Sequence, residues 1–307
     1  MIQDIDEVFD NTYAPKKEKP DDVIICFKNR EVFFKNENGN VEFLNRADYD
    51  EAVEIVYKKN REGNEKTADR KCRGDNTEMK ASVTENRYIF SIGTKAFYLG
   101  EITESVQNAL EEKGYSFNTM FATRGMKPKE KVFALVTAYH LSVWYNANRF
   151  CGACGHRLIH MENMRALECE VCGNTVFPKI NPAVIVAVRN GEKILLTKYA
   201  GRQYKNYALI AGFNEIGESA EETVRREVME EAGLKVKNIT YYKSQPWGYE
   251  SDLLLGFYCD VDGDDTIKMD DEELSSAEWV DRSAMEPRND DLSLTSELME
   301  QFRLGKI

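Results

Sequence analysis

Three glutamates that lie close together in the chain could hold metal ions. Glu227, Glu230 and Glu231 are spaced at i, i+3 and i+4, so on a helix they share one face. Like charges on one face repel one another, and the C-terminal half of a helix disfavours anions. Bound divalent cations would neutralise these charges and so remove that penalty. Mg²⁺ and Mn²⁺ are the expected ions, because they prefer oxygen ligands. A solvated acidic helix face is the alternative that the charge pattern alone leaves open.

A cysteine cluster could bind a different metal. Two C-x2-C pairs with 14 residues between them use four of the seven cysteines, namely Cys151, Cys154, Cys169 and Cys172. Such pairs present four thiolates, which Zn²⁺ binds tetrahedrally in structural sites. The sequence therefore predicts a zinc ribbon that serves as a structural staple, with the nearby His156 and His160 as bystanders. Four free structural thiols are the alternative.

The chain around the glutamates predicts a short helix that would position them. Ser219 to Glu222 has the pattern of a capping box, and Gly233 suits the left-handed position just past a helix end. The helix is therefore expected from about residue 220 to 232. Val224 and Val228, four residues apart, would face the core.

A strand and a hairpin are predicted before this helix. Pro182 to Val188 is an apolar, β-branched run, Asn190-Gly191 is a hairpin turn signal, and Lys193 to Thr197 continues as a second strand. The first 146 residues contain three further stretches with strand character, at Val23 to Phe27, Glu31 to Phe34 and Tyr88 to Ile92. The turn Asn38-Gly39 also lies in this part.

Two longer segments of this first part differ in character. Lys129 to Tyr145 is expected to form a helix with one largely apolar face, on which His140 is a core residue. Lys58 to Lys80 is rich in charge and poor in apolar residues, so we expect a solvated loop there.

Charge and composition exclude several classes of protein. The 307 residues carry 53 acidic and 41 basic side chains, a net charge of −12, which excludes a uniformly basic nucleic-acid-binding protein. No apolar run is long enough for a membrane helix, and the first residues lack an export signal, so we expect a cytoplasmic protein with no membrane partner. The length suggests about two domains. We expect an N-terminal domain over 1–146, the zinc ribbon over 147–180 and a catalytic domain over 181–307.

The spacing around the predicted helix resembles the Nudix hydrolase family. Gly212, Glu218 and the run from Arg226 to Leu234 match each defining position of the Nudix box. The resemblance implies an α/β/α sandwich on a mixed sheet. It also implies metal-dependent hydrolysis of a nucleoside diphosphate linked to another group.

The same resemblance implies roles for particular residues. Arg226 would orient a glutamate by charge-assisted pairing, and Glu218 would support the loop and the helix start. The implied ligands for Mg²⁺ or Mn²⁺ are Glu227, Glu230, Glu231 and the carbonyl of Ala211.

The arrangement along the chain resembles the NADH pyrophosphatase subfamily. The cysteine cluster directly precedes the Nudix box, and Ser244-Gln245-Pro246-Trp247 follows it. The likeness covers residues 130–290 well and the first 120 loosely. It implies cleavage of NADH or NAD to nicotinamide mononucleotide and AMP, NAD-capped RNA as a further substrate, and a homodimer. The fold expected is thus a C-terminal Nudix sandwich, a central zinc ribbon and an N-terminal mixed α/β domain.

The subfamily resemblance also implies a substrate pocket and another metal ligand. Glu273 matches a further metal-site glutamate, with Glu272 as the rival and a plain acidic turn as the alternative. For the aromatic residues of the pocket, the alternative is ordinary core. The substrate-binding residues expected are Phe177, Phe213, Ser244, Gln245, Pro246, Trp247 and Asp252.

The segment after Trp247 departs from the subfamily pattern. It is Gly-Tyr-Glu-Ser-Asp where the subfamily typically continues Pro-Phe-Pro, so the loop should be less rigid. Glu250 and Asp252 also add negative charge beside an anionic substrate. ADP-ribose and dinucleoside polyphosphates therefore stay open as substrates. A nucleotide sensor that binds without cleaving is a further alternative, against which the retained glutamates argue.

Overall fold

The computed structural model describes residues 1–67, 86–201, 206–288 and 290–307, with the backbone alone for 60–67. The chain divides into two compact units. The N-terminal unit is Ile5–Pro178, and the C-terminal unit combines Met1–Asp4 with Lys179–Ile307. Within the described ranges, none of the helices has both the length and the apolar character that a membrane crossing requires.

A mixed sheet and three helices make up most of the N-terminal unit. In chain order the elements are β1 (Phe9–Asp10), β2 (Val23–Lys28), β3 (Glu31–Glu37), β4 (Asn40–Glu42), α1 (Arg46–Thr67), β5 (Arg87–Ile92), β6 (Lys95–Gly100), α2 (Glu104–Glu111), β7 (Ser116–Thr119), α3 (Lys129–Ala147), β8 (Ile159–His160), β9 (Leu167–Glu168) and β10 (Thr175–Val176). The large sheet has the order β1-β5-β6-β2-β3-β4, with β7 paired to β3. The last three strands form a small sheet of their own around the cysteine cluster.

The strand predictions for this unit are confirmed, but one helix prediction and one loop prediction need correction. β2, β3 and β5 lie where strands were expected, and Asn38 and Gly39 form the turn with positive φ values of 54° and 85°. The helix expected from Lys129 is present as α3, with His140 half-buried. The predicted apolar face is present, but burial extends around most of the circumference, so the buried surface is wider than the prediction. Strands of the large sheet and a short 3-10 helix contact α3, which explains the wider burial.

The charged segment from Lys58 was predicted to be a loop, and this is wrong up to residue 67, where α1 ends. Lys, Arg and Glu are good helix formers, so a run of charge does not exclude a helix. The pair Glu54–Lys58, four residues apart with 2.7 Å between Oε1 and Nζ, adds local support. Residues 68–80 of that prediction lie outside the described residues.

The C-terminal unit is built on a second mixed sheet. Its elements are β11 (Asn181–Asn190), β12 (Lys193–Tyr199), β13 (Ile210–Phe213), α4 (Ala220–Ala232), β14 (Val236–Trp247), β15 (Asp252–Val261), β16 (Leu274–Asp281) and α5 (Leu294–Arg303). The order is β14-β15-β11-β12-β16, with β13 also paired to β11. β11 and β15 run parallel, and the other pairs are antiparallel. The strand and hairpin predicted around Asn190-Gly191 are confirmed.

The two faces of this sheet are covered by different helices. Successive side chains of a strand point to opposite faces. In β11 the even-numbered residues from Val184 to Val188 pack with α4, and the odd-numbered residues from Ala183 to Ala187 pack with α5. The expected α/β/α sandwich on a mixed sheet is therefore confirmed.

Candidate active site and cysteine cluster

The helix α4 begins and ends as the sequence predicts. The Ser219 hydroxyl accepts a hydrogen bond from the backbone N–H of Glu222 at 3.3 Å, and the Glu222 carboxylate accepts one from the Ser219 N–H at 2.7 Å. Gly233 ends the helix with φ of 67°. The capping box and the left-handed glycine thus fix the helix that carries the glutamates, and Val224 and Val228 are fully buried on its inner side.

Arg226 is the centre of a network that joins this helix to the loop before it. Its guanidinium donates two hydrogen bonds to Glu218, from Nε at 2.7 Å and from Nη2 at 3.0 Å. Nη1 donates to Glu227 at 2.7 Å and to Glu230 at 3.0 Å, and Nη2 also donates to the Phe213 carbonyl at 3.0 Å. One cation therefore orients three carboxylates, and charge-assisted bonds of this kind hold their geometry well.

Glu218 is held strongly in its ionised form. The hydrogen bonds from Arg226, followed by that from the Thr223 hydroxyl at 2.8 Å, lower the pKa of Glu218 to about 2. The same pairing raises the pKa of Arg226. Thr223 was not singled out from the sequence, although a threonine on the inner side of a helix is a signal, since its buried hydroxyl needs a partner.

Glu227 occupies a space that only a glycine leaves open. Its side chain is buried against β13, and a Cβ placed on Gly212 would overlap its carboxylate. Burial raises the pKa of Glu227 and Arg226 opposes that rise, while the negative charges of Glu230 and Glu273 add to it. Gly212 is therefore required for room, a role that the motif match alone did not reveal.

Glu273 lies close to the helix because its segment is pinned there. The N–H groups of Lys268 and Asp270 donate to the carbonyls of Ala232 and Glu231, at 2.8 and 3.0 Å. The Glu273 carbonyl in turn accepts a hydrogen bond from Ala200 at 2.9 Å. These bonds bring an exposed carboxylate next to the C-terminal end of α4, where its charge acts on Glu227.

The carboxylates fit a hard divalent cation by their chemistry. Glu231 is buried, Glu227 is largely buried and Glu230 is exposed, so the set lies at the boundary between the core and the solvent. Within the described ranges, the four cysteine sulfurs all lie within 4.8 Å of one another. The carboxylate oxygens of the three glutamates are spaced more widely than that. Two of these carboxylates, Glu227 and Glu230, instead share the Nη1 of Arg226 as a hydrogen-bond donor. The oxygen donors match the preference of Mg²⁺ and Mn²⁺.

The two expected aromatic substrate-binding residues of this unit, Phe213 and Trp247, lie on the opposite face of the sheet. In β13 Gly212 faces α4, so by strand alternation Ala211 and Phe213 face the side of α5. Trp247 packs against the core on the α5 side, and Phe213 is exposed. Ser244 and Pro246 lie on the same strand as Trp247, β14, and by the same alternation they face the side of α4. The candidate metal ligands on α4 and the aromatic residues Phe213 and Trp247 thus lie at the same end of the sheet, but on opposite faces of it.

Gln245 has a structural task in this arrangement. It is fully buried, and its amide donates to the Leu292 carbonyl at 2.6 Å and accepts from the Leu294 N–H at 2.6 Å. It also donates to the side chain of Gln3 at 3.3 Å, and Gln3 donates to the Ser244 carbonyl at 3.0 Å. Gln245 thereby fixes the start of α5 on the sheet.

The four cysteines form a site that fits zinc. The sulfur of Cys154 lies 3.4 Å from the sulfurs of both Cys169 and Cys172, and the sulfur of Cys151 lies 3.6 Å from that of Cys172. Tetrahedral coordination at the usual Zn–S distance places sulfurs about 3.8 Å apart. The Ala153 N–H is the main cause that lowers the pKa of Cys151 to about 6, which favours a thiolate.

The residues beside this cluster have other partners. The ring of His160 bonds to the hydroxyls of Tyr145 at 2.9 Å and Tyr13 at 3.2 Å, so it is a bystander as expected. Phe177 follows the cluster in the N-terminal unit and is exposed. Gly155 and Gly173 have positive φ values of 75° and 71° and close the two knuckles with bonds to the Cys151 and Cys169 carbonyls.

Comparisons with known proteins agree with this geometry. Residues 179–302 match the family model described as NUDIX domain. A protein described as NAD-capped RNA hydrolase NudC from Actinobacillus succinogenes is 42% identical over 159 residues, which are 50% of this chain and 60% of that protein. A protein of the same description from Mannheimia succiniciproducens is 35% identical over 196 residues, 61% of this chain and 73% of that protein. The chain spans about half to three quarters of the length of the curated relatives it matches.

Solved structures are also similar, and one of them serves as an example. A Nudix hydrolase from Nitrosomonas europaea matches 52% of this chain and 92% of its own, with 22% identity and a TM-score of 0.44.

Proposed function

The chain belongs to the Nudix family, and we propose that it hydrolyses the pyrophosphate bond of NAD or NADH to nicotinamide mononucleotide and AMP. The network of Arg226 is the observation that carries the proposal, because it holds Glu218, Glu227 and Glu230 in one fixed array at the edge of the sheet. The relatives described as NAD-capped RNA hydrolases support NAD-capped RNA as a further substrate.

The carboxylates of α4 would bind the metals that this reaction needs. Mg²⁺ or Mn²⁺ held by Glu227, Glu230, Glu231, Glu273 and the Ala211 carbonyl would neutralise phosphate charge and ease the ionisation of the attacking water. Arg226 holds Glu227 in place, and Glu218 holds Arg226 in place. Glu227 and Arg226 therefore do not have to reorganise during the reaction.

The hydrolysis itself is a water attack at phosphorus. The water oxygen forms a bond to one phosphorus of the pyrophosphate as the bond from that phosphorus to the bridging oxygen breaks. A carboxylate of the helix accepts the proton of the water, and the two products leave as monophosphates. Phe213 and Trp247 would bind the flat rings of the dinucleotide, with Ser244, Pro246 and Asp252 beside them.

The remaining assignments are proposals of the same kind. We place a structural Zn²⁺ on the four cysteines, where the short distances between sulfurs support it. The domain division at 1–146, 147–180 and 181–307 stays our proposal, and so does the role of Phe177 in substrate binding. The subfamily resemblance supports a cytoplasmic homodimer, which analytical ultracentrifugation and imaging of a tagged chain would test.

One experiment separates the candidate functions. The purified protein is incubated with NAD, NADH, ADP-ribose or NAD-capped RNA in the presence of Mg²⁺ or Mn²⁺, and the products are separated by chromatography. AMP and nicotinamide mononucleotide from NAD or NADH would support the proposal, whereas turnover of ADP-ribose alone would replace it. Binding without turnover of any substrate would point to a nucleotide sensor.

A variant tests the role of the helix in the same assay. Glu231→Gln should abolish turnover while the melting temperature stays within a few degrees of the parent, since the two side chains have nearly the same volume. Full activity of this variant would refute the metal assignment.

A further inference from the structure

Asp252 is a buried carboxylate without a cationic partner. It is 7% exposed, and none of the ion pairs formed by the described residues includes it. Its one hydrogen bond is accepted by Oδ1 from the Asn181 amide, at the long distance of 3.4 Å. Burial raises the pKa of Asp252 to about 6, and the nearby charge of Glu250 adds to the rise. Buried carboxylates are usually paired with a positive charge, so Asp252 is suited to bind a cationic group of a ligand.

The register of the sheet places this carboxylate beside an aromatic ring. Asp252 lies directly opposite Trp247 in the pairing of β14 with β15, and opposite Asn181 in the pairing of β15 with β11. Residues directly opposite one another project to the same face, with Cβ atoms about 5 Å apart. The ring of Trp247 is itself set by Tyr249, whose ring centroid lies 5.0 Å away. A negative charge and an indole therefore stand side by side on the α5 face.

Such a pair is suited to a flat organic cation. The face of an aromatic ring attracts positive charge, most strongly for tryptophan, and a carboxylate adds a direct Coulomb attraction. On the proposed function, on which this inference rests, the substrate offers one group of that kind: the pyridinium ring of oxidised NAD carries a positive charge, whereas the dihydropyridine ring of NADH is neutral.

We propose that Asp252 and Trp247 form a subsite for the pyridinium ring, so that the protein prefers oxidised NAD over NADH. The two substrates share the carboxamide, both riboses, the pyrophosphate and the adenine. Their comparison therefore confines the difference to the nicotinamide ring, and the Asp252 variant then separates the charge of the ring from its change in aromaticity. Because the ring keeps its charge from the ground state to the transition state, Asp252 should act on KM and leave kcat nearly unchanged.

The test measures kcat and KM for NAD and NADH with the full chain in Mg²⁺ or Mn²⁺. We expect the parent to favour NAD by about ten-fold in kcat/KM, and Asp252→Asn to bring the two substrates within about two-fold, through a higher KM for NAD. Glu250→Gln is the matched control, since it removes the same charge two residues away from an exposed position that solvent and salt screen. That control should keep the preference.

The outcomes separate this inference from the proposed function. A parent that turns over both substrates equally, or favours NADH, overturns the inference and leaves the hydrolysis intact. A preference for NAD that survives Asp252→Asn also overturns it, as does an equal loss in Glu250→Gln. If neither substrate is cleaved, the proposed function fails first. Asp252→Ser removes the same charge with a smaller side chain and replaces Asp252→Asn in the assay if the asparagine variant does not fold.

Discussion

Replacing Gly212 by alanine should disable the active site without unfolding the protein. The added Cβ would overlap the Glu227 carboxylate, and ordinary contact between heavy atoms needs about 3.5 Å. The carboxylate must therefore retreat by more than about 1 Å. A displacement of that size in a reacting group costs about a hundred-fold in rate. The backbone of Gly212 lies outside the left-handed region, so alanine adds no backbone strain.

The effect on stability should be much smaller than the effect on catalysis. The atoms that a Cβ on residue 212 would overlap belong to the Glu227 carboxylate, at the end of a flexible side chain. That side chain can change rotamer without moving the backbone. We therefore expect the free energy of unfolding to fall by less than about 1 kcal/mol, below the usual range for overpacking. Gly125→Ala is the matched control, since a Cβ there meets nothing within 4 Å and should change neither property.

The assay compares kcat/KM for NAD with the melting temperature of each variant. A double-mutant cycle with Glu227→Ala then tests the mechanism, because Gly212→Ala should have no further effect once the carboxylate is gone. The reasoning is refuted if Gly212→Ala keeps more than about a third of the parent activity. It is also refuted if the alanine lowers the residual activity of Glu227→Ala by a further large factor.

Three further predictions concern stability. The pKa of Asp252 rises from 3.8 to about 6 on folding, so this group's contribution to stability is complete below about pH 4 and is lost as the pH rises through 6. In urea unfolding at pH 7.5, Asp252→Asn should therefore be more stable than the parent by up to about 2–3 kcal/mol. At pH 4 the two proteins should differ little. A parent that is more stable than the variant at pH 7.5 would contradict the burial argument. A zinc chelator should lower the melting temperature of the parent by at least about 5 °C and leave that of Cys154→Ser unchanged; equal shifts would argue against a structural zinc. Gln245→Leu leaves the Leu292 carbonyl and the Leu294 N–H without their partner, so it should lower the free energy of unfolding by about 2–3 kcal/mol in denaturant titrations, and an unaltered stability with a raised KM for NAD would instead assign Gln245 to the substrate.

Local signals explain what could be predicted from the sequence. The capping box at Ser219 and the glycine at 233 lie within a few residues of the ends that they define, so the sequence predicts both ends of α4 closely. The C-x2-C pairs likewise carry their geometry in their spacing. The hairpin at Asn190-Gly191 depends only on its two turn residues and their neighbours.

The features that were missed depend on distant parts of the chain. Gln245 is buried because the segment around Leu292 folds over it, and no spacing within β14 signals that contact. Asp252 has no cationic partner among the described residues because neither of the two neighbouring strands, β14 and β11, places a positive charge opposite it. The need for glycine at 212 arises from a side chain 15 positions later. For α3 the surrounding strands, rather than its own pattern, decide how much of its surface is buried.

The alternation of faces along β13 has a consequence for how this protein tolerates change. Gly212 serves the carboxylates on one side of the sheet, while its neighbours Ala211 and Phe213 belong to the other side. On the proposed function, substitutions around Trp247 and Asp252 would thus change which ligand is accepted without disturbing the carboxylates on α4. Inserting or deleting one residue within β13 would exchange the two sides at once. Point mutations on one face should therefore change ligand selectivity and preserve the other face. An insertion or deletion in this four-residue strand should disrupt both faces and abolish activity.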